Sequence, residues 1–419
     1  MQQLIKTNFA FTANENDPVR KKIGVLIKDG VINIVDSWEN LSHLSDPTID
    51  VIDAGNYTLM PGLIDCHVHV NTSGDPAEKE SEYDEIRFTA AKTTLYALRN
   101  VQRHTEMGVT AIRDMGCRDW VAPAIRDSIY AGWYKGPRMV VAVRGITSTG
   151  GHMDVYKLIR PDWPTVDTMG CIADGPDEGR RAVRTQIRDG ADVIKINATI
   201  SEYVRATGGE CTPEMTFDTM KAICDTAHAL GKRVAAHCHG GPGVRDAIEA
   251  GVDTFEHGYF IDDDLMEEMV KRDRFLTPTM SALHCPLDNN DLGTEPALLK
   301  WYKITLPAMM GEVKRAKKHG VKILAGTDAG MPYVWHGMIS QEMIYFEKYG
   351  LTNLEALASA TRVAADGLGM KDKIGQIKAG LFADLIMVNG DPTKDLTVLQ
   401  KKENIVFVMQ GGEILIDRR

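Results

Sequence analysis

Short apolar runs alternate with helical segments from Met60 onward, and this alternation constrains the fold more than any other feature of the chain. Eight runs have the length and composition of buried strands: residues 63–70, 110–114, 139–143, 193–197, 234–237, 254–256, 275–278 and 323–327. The segments between them carry apolar residues at helical spacing, and several end at a glycine, as in His319-Gly320. This spacing predicts helices over residues 88–107, 176–189, 217–230, 244–250, 262–272 and 306–319, followed by helical segments near residues 338–349 and 353–365. Eight parallel strands separated by helices predict an α/β fold, a closed (β/α)8 TIM-type barrel.

The two ends of the chain show a different pattern, with short alternating strands and tight turns. Residues 22–28 and 31–35 flank the turn Asp29-Gly30, and residues 405–409 precede the turn Gly411-Gly412. We therefore predict a small β-sandwich built from residues 1–59 and 374–419, beside a barrel domain formed by residues 60–373.

Composition and charge narrow the possible partners and the cellular location. The 419 residues include 48 Lys plus Arg and 58 Asp plus Glu, a net charge of −10 without a long basic block, which argues against nucleic acid and membrane surfaces as partners. The seven cysteines form no C-x-x-C pair, and the chain has neither a signal-peptide pattern nor an apolar run of about 20 residues. We expect a cytoplasmic protein with reduced thiols that forms a homo-oligomer.

Residue types that bind divalent cations follow several of the predicted strands. His67 and His69 lie two residues apart on a strand, so both rings point to the same side. His237 and His257 end two consecutive strands, and Asp328 follows the eighth among small residues. Each residue alone could be a core, rim or turn residue, but in a barrel all these strand ends face one mouth. The set therefore predicts a metal site there.

Lys195 lies in a strand that is otherwise rich in β-branched residues. Burying an unpaired ammonium group is costly, so this lysine either pairs with a carboxylate, reaches the rim, or reacts with CO₂. The carbamate formed by that reaction has two oxygens that can bridge two cations. The candidate ligands on the other strands favour the carbamate.

These segments together resemble the metal-dependent amidohydrolase superfamily over nearly the whole chain. The motif Arg144-Gly-Ile-Thr-Ser-Thr-Gly-Gly-His152 is similar to the branch that contains imidazolonepropionase-like enzymes and Xaa-Pro dipeptidases. The wider resemblance depends on the following residues: the segment Pro61-Gly-Leu-Ile-Asp-Cys-His-Val-His69, the strand-end residues Lys195, His237, His257 and Asp328, and the tail Gly375-Gln-Ile-Lys-Ala-Gly-Leu-Phe-Ala-Asp-Leu385. It implies the same barrel and sandwich that the patterns predict.

The resemblance also implies a site with two divalent ions, for which zinc suits the mixed imidazole and carboxylate ligands. His67, His69 and Asp328 would bind the more buried ion, and His237 and His257 the more exposed one. Carboxylated Lys195 would bridge both ions. Asp328 would also be the catalytic residue that takes a proton from the attacking water and passes it to the leaving amine.

The implied activity is hydrolysis of amide or peptide bonds in small substrates such as dipeptides or N-acyl amino acids. The following residues are candidates for holding the substrate carboxylate: Arg144, His152, Tyr203, Arg205 and His239. Prolidase-like members often have tyrosine where this chain has His239, so Xaa-Pro specificity does not transfer directly.

Two alternatives remain open at this stage. One is a deaminase or cyclic amidine (imidazolone) hydrolase with a single metal ion, which does not need a bridging lysine. The other is a barrel that has lost catalysis and serves in binding or assembly. The presence of Lys195 and of every expected ligand favours the hydrolase with two metal ions.

Overall fold

The computed structural model describes residues 2–41, 48–78, 84–154, 169–200, 211–289 and 296–419. The strands are β1 (Gln2–Phe11), β2 (Val19–Lys28), β3 (Val31–Ser37), β4 (Ile49–Pro61), β5 (Leu63–Val68), β6 (Val109–Asp114), β7 (Arg138–Val141), β8 (Gly145–Thr147), β9 (Gly170–Ile172), β10 (Val193–Asn197), β11 (Arg233–Gly240), β12 (Thr254–Phe260), β13 (Phe275–Thr277), β14 (Lys322–Ile323), β15 (Leu385–Val388), β16 (Ile405–Gln410) and β17 (Glu413–Asp417). The α-helices are α1 (Trp38–Leu41), α2 (Asp84–Arg87), α3 (Ala90–Glu106), α4 (Val121–Tyr130), α5 (Pro176–Arg188), α6 (Phe217–Ala229), α7 (Pro242–Ala250), α8 (Asp263–Lys271), α9 (Ser281–Asp288), α10 (Pro296–His319), α11 (Ile339–Lys348), α12 (Asn353–Ser359) and α13 (Arg362–Gly367).

Strands from both ends of the chain form one seven-stranded sheet, in the order β17-β16-β15-β4-β1-β2-β3. The β1–β4 pair is parallel and the other pairs are antiparallel. The sheet has its own apolar cluster, in which Ile5, Val25 and Phe407 are fully buried. The two predicted glycine turns pack against each other, since a Cβ on Gly30, at φ +81°, would lie 2.3 Å from the carbonyl oxygen of Gly411. The domain boundaries at residues 59 and 374 stay a prediction.

The central strands form two parallel sheets, one in the order β5-β6-β7 and one in the order β14-β13-β12-β11-β10-β8-β9. Backbone hydrogen bonds join the sheets at both edges of the three-stranded one. Cys66 N donates to Ala325 O (2.9 Å) beside β14, and Asp192 N donates to Val141 O (2.7 Å) between β7 and β10. The predicted α/β fold with parallel strands is confirmed.

Side-chain caps explain where several helices begin. Thr89, Thr216 and Asp262 each accept a hydrogen bond from the backbone N–H three residues later, at the start of α3, α6 and α8. Thr352 and Glu355 form a capping box at the start of α12. Helices α3 and α6 pack on the strands β6 and β11, whereas α8 and α12 pack chiefly on neighbouring helices. Within the described ranges, no helix is long and apolar enough to cross a membrane.

The structure differs from the sequence predictions at several helices. The helix predicted over residues 353–365 is divided into α12 and α13, because the carbonyls of Ser359 and Ala360 turn to accept bonds from Ala325 N and Ile64 N. The helix predicted over residues 306–319 is longer, since it begins at Pro296 and continues through Pro307, a residue type that usually interrupts a helix. Helices α4 and α9 and strands β8 and β9 were not predicted, since α4 lacks a side-chain cap and α9 contains a proline.

Candidate metal centre

All six predicted metal-ligating residues lie at or near the carboxyl ends of parallel strands and are deeply buried. Their exposed fractions lie between 1% and 6%. Strand β5 and the residue after it carry His67 and His69, and β10 carries Lys195. Strand β11 carries His237 and β12 carries His257, while Asp328 follows β14. Six polar residues from five strands are thus buried in one part of the fold.

Asp328 lies among the imidazole rings. Its Oδ1 is 3.5 Å from His67 Nε2 and 3.6 Å from His69 Nε2, and its Oδ2 is 3.9 Å from His257 Nδ1. Ligand atoms of His67, His257 and Asp328 lie within 4.8 Å of one another. Two atoms that share a tetrahedral zinc ion at about 2 Å are separated by about 3.3 Å. The spacing therefore fits a shared cation without large movement.

His237 extends this group. Its ring centroid lies 4.6 Å from that of His257 on the neighbouring strand. Among the described residues, no hydrogen-bond partner faces the buried His237 Nε2. Buried polar atoms are rarely left unpaired, and a cation is one partner that would satisfy this nitrogen. Burial also lowers the pKa of His237 and of His67 well below the usual range, which keeps both imidazoles neutral, as a metal ligand must be.

Two further ligand candidates have fixed rings. His69 Nδ1 lies 3.0 Å from the carbonyl oxygen of Gly116, so this nitrogen carries the proton and Nε2 faces Asp328. His257 Nδ1 lies 2.7 Å from Thr279 Oγ1, which is itself 3.0 Å from the hydroxyl of Tyr259. Such contacts hold a ring in one orientation before any metal ion binds.

Lys195 is almost completely buried in β10. Burial lowers the pKa of its ammonium group to about 8, although the carboxylates of Glu256 and Asp328 oppose this shift. The amine is therefore neutral much more often than that of an exposed lysine. Lys195 is the type of residue that can react as a nucleophile in its neutral form.

Backbone strain also occurs among these residues. His257, Thr279 and Asp328 have φ values of +71°, +48° and +62°, in the left-handed region that non-glycine residues rarely adopt. Each such residue costs about 1–3 kcal/mol and persists only where its surroundings enforce it. Strain of this kind is typical of binding and catalytic sites.

The substrate-binding candidates are only partly assembled around the ligands. The His152 ring stacks on His237 at 3.9 Å, and the His239 ring lies 4.7 Å from His237. Arg144 is half-buried, and its backbone N–H donates to Gln186 Oε1 at 3.1 Å. Tyr203 and Arg205 lie outside the described residues.

Sequence reasoning missed the residues that support the ligands, chiefly Arg113, Glu256 and Thr279. Arg113 offered a usable signal, because it is a charged residue inside the predicted strand 110–114, just as Lys195 is in its own strand. Glu256 directly precedes a predicted ligand. Thr279 has no distinctive feature in the sequence.

Comparisons with known proteins identify the family of the chain. The family model described as "Amidohydrolase family" matches residues 58–415. Ochratoxinase from Aspergillus niger is 31% identical over 386 residues, which cover 85% of this chain and 75% of that protein.

Two solved structures are similar over the whole chain. A Xaa-Pro dipeptidase with bound methionine in the active site has a TM-score of 0.88 at 30% identity, covering 99% of this chain and 100% of the other. A prolidase complexed with N-methylphosphonate-L-proline has a TM-score of 0.85 at 26% identity, with both chains covered completely. This chain therefore belongs to the amidohydrolase family and is a hydrolase that acts on C–N bonds.

Proposed function

We propose that this protein is a hydrolase with two divalent metal ions that cleaves amide or peptide bonds in small substrates bearing a carboxylate, such as dipeptides or N-acyl amino acids. The single observation that carries the proposal is the convergence of three imidazoles on one carboxylate, Asp328, within 3.9 Å. We further propose that the parallel strands close into a (β/α)8 barrel, with a small β-sandwich formed by residues 1–59 and 374–419. The expected cytoplasmic location and homo-oligomeric state stay predictions.

In this proposal the six predicted residues hold the metal ions. His67, His69 and Asp328 bind one ion, and His237 and His257 bind the other, which accounts for the unpaired Nε2 of His237. The donor set of imidazoles and carboxylates suits zinc. When bound, such ions polarise a carbonyl and lower the pKa of water, so that a nucleophile forms at neutral pH.

Lys195 is the proposed bridge between the two ions. Only a neutral amine attacks CO₂, forming a C–N bond to the carbon and releasing one proton. Lowering the pKa of the ammonium group from 10.5 to about 8 raises the neutral fraction of the amine near pH 7. The carbamate is an anion with two oxygens, so it suits a site that contains two cations much better than an ammonium would.

Asp328 is the proposed proton carrier. Asp328 is 6% exposed, the highest value among the six candidate ligands, and both of its carboxylate oxygens face imidazole rings. From there it can accept a proton from water and deliver it to the departing amine. The positive φ at Asp328 shows that the backbone is held in this unusual position by its surroundings.

Substrate recognition is assigned to the residues beside the exposed ligands. His152 and His239 both lie against His237, close enough to reach a small molecule bound there. A carboxylate is the group that histidine and arginine donors recognise best, which also supports roles for Arg144, Tyr203 and Arg205. The relatives point to the same bond, since one is a Xaa-Pro dipeptidase and another a prolidase.

The test is a hydrolysis screen of zinc-reconstituted protein against dipeptides and N-acyl amino acids. Each substrate is paired with a matched analogue whose carboxylate is blocked as a primary amide. We expect turnover of a subset of the free acids, with kcat/KM at least tenfold lower for their blocked analogues. Equal rates would refute the carboxylate role. Deamination or cyclic amidine hydrolysis without amide cleavage would refute the proposed reaction.

A further inference from the structure

A buried ion pair lies directly behind the candidate ligand His67. Glu256 Oε2 is 2.9 Å from His67 Nδ1, and Glu256 Oε1 accepts a hydrogen bond from Arg113 Nη2 at 2.8 Å. Thr254 Oγ1 donates to the same Oε1 at 2.6 Å. Glu256 is 0% and Arg113 1% exposed, so neither charge has access to water. Oε2 thus faces His67, while Oε1 accepts from both Arg113 and Thr254.

Arg113 is itself held in place by the strands around it. Its Nε donates to the carbonyl oxygen of Cys66 at 2.6 Å, and its Nη1 donates to Thr254 Oγ1 at 2.8 Å. Cys66 is the residue immediately before His67. The guanidinium therefore connects β6 with β12 and with the backbone next to the ligand, which leaves Glu256 little freedom to move.

The proton on His67 follows from this contact. A carboxylate can only accept, so Nδ1 must carry a hydrogen, and the lone pair of the neutral ring is then on Nε2. That nitrogen lies 3.5 Å from Asp328 Oδ1, on the side of the proposed metal ions. We infer that Glu256 and Arg113 are positioning residues for His67: they select its Nδ1–H tautomer and direct Nε2 at the metal. The inference rests on the proposed metal centre.

The other rings have weaker partners. His69 is held by a backbone carbonyl and His257 by a hydroxyl. The partner of His67 Nδ1, by contrast, is the carboxylate of Glu256. A carboxylate on the distal nitrogen increases the basicity of a metal-ligating imidazole, and losing such a partner typically weakens metal binding by about 10–100-fold. Metal binding through His67 is therefore expected to depend on Glu256.

The competing explanation is that Glu256 and Arg113 only fill the space between the strands. Buried ion pairs can often be replaced by apolar residues of similar volume without loss of stability. If the pair is only structural, its loss should change the stability of the metal-free protein. If the pair positions His67, its loss should change the metal affinity. The experiment must measure both.

The test compares Glu256→Gln with Asp384→Asn. Asp384 is a buried carboxylate in the region of the terminal sheet that accepts two bonds from Arg138, at 2.7 and 3.1 Å, and it contacts none of the candidate ligands. The zinc dissociation constant is measured by chelator competition, and stability by denaturant unfolding of the metal-free chains. We expect Glu256→Gln to weaken zinc binding by about 10–100-fold, because one carboxamide cannot accept from both His67 and Arg113. Asp384→Asn should lose stability and keep the parent affinity within about threefold.

A double variant, Arg113→Met with Glu256→Leu, separates the two roles further. It removes both charges together, so the metal-free protein should keep most of its stability, while zinc binding should stay at least tenfold weaker. Parent-like zinc affinity in Glu256→Gln would overturn the positioning role and leave the proposed function intact. A parent protein that binds no zinc would overturn the metal centre itself, and the inference with it.

Discussion

Replacing Asp328 by Asn tests the proposed proton carrier while keeping the shape of the side chain. The carboxylate approaches three imidazoles through both oxygens, at 3.5, 3.6 and 3.9 Å. An amide keeps one oxygen that can remain near His67 and His69, but its nitrogen can neither accept a proton nor bind a cation. General acid–base catalysis contributes about 10²–10⁴-fold, so we expect kcat to fall by that factor, an increase in the barrier of about 2.7–5.4 kcal/mol.

The assay must separate lost chemistry from lost metal. Zinc content per chain is measured by atomic emission on the same samples used for kinetics, and rates are normalised to metal-loaded protein. The matched control is Asp384→Asn, the same substitution at a buried carboxylate that contacts Arg138 and none of the candidate ligands. If Asp328→Asn retains kcat within tenfold of the parent at equal zinc content, Asp328 does not carry the proton and the reasoning is wrong.

Three other substitutions or treatments have defined outcomes. Lys195→Ala should reduce bound zinc from two ions per chain to one or fewer, as counted by atomic emission, because the bridge is lost; two ions in this variant would contradict the carbamate. Thr279→Val should destabilise the protein by about 1–3 kcal/mol in denaturant unfolding, since His257 Nδ1 and the Tyr259 hydroxyl lose a buried partner, whereas Thr279→Ser should stay close to the parent. Removing zinc with a chelator should lower the free energy of unfolding by about 4 kcal/mol for each bound ion, relative to protein kept at zinc 1,000-fold above its dissociation constant. An unchanged unfolding curve would argue against a resident metal.

The strands and the ligand candidates could be predicted from the sequence because both signals are local. A buried parallel strand is a short apolar run, and each candidate ligand lies within or just after such a run, as Lys195 lies within Val193–Asn197. Buried charges in such a run stand out against their neighbours. The same reasoning would have identified Arg113, which lies in β6 and is just as deeply buried.

The contacts that support the ligands could not be predicted, because their partners are far apart in the chain. Glu256 contacts His67, which is 189 positions away in the sequence, and Arg113, which is 143 positions away. No periodicity encodes such pairs; they follow from the register that brings β5, β6 and β12 together. Helix α9 was missed for a different reason, since Pro286 inside it argues against a helix when only local pattern is considered.

The most direct test of the central claim is a crystal structure of the zinc-reconstituted protein grown with bicarbonate, with anomalous data collected at the zinc edge. We predict two anomalous peaks per chain, one between His67, His69 and Asp328 and one between His237 and His257. Continuous density from Lys195 should reach both peaks. A single peak, or an unmodified Lys195 turned away from the histidines in fully loaded protein, would contradict the account.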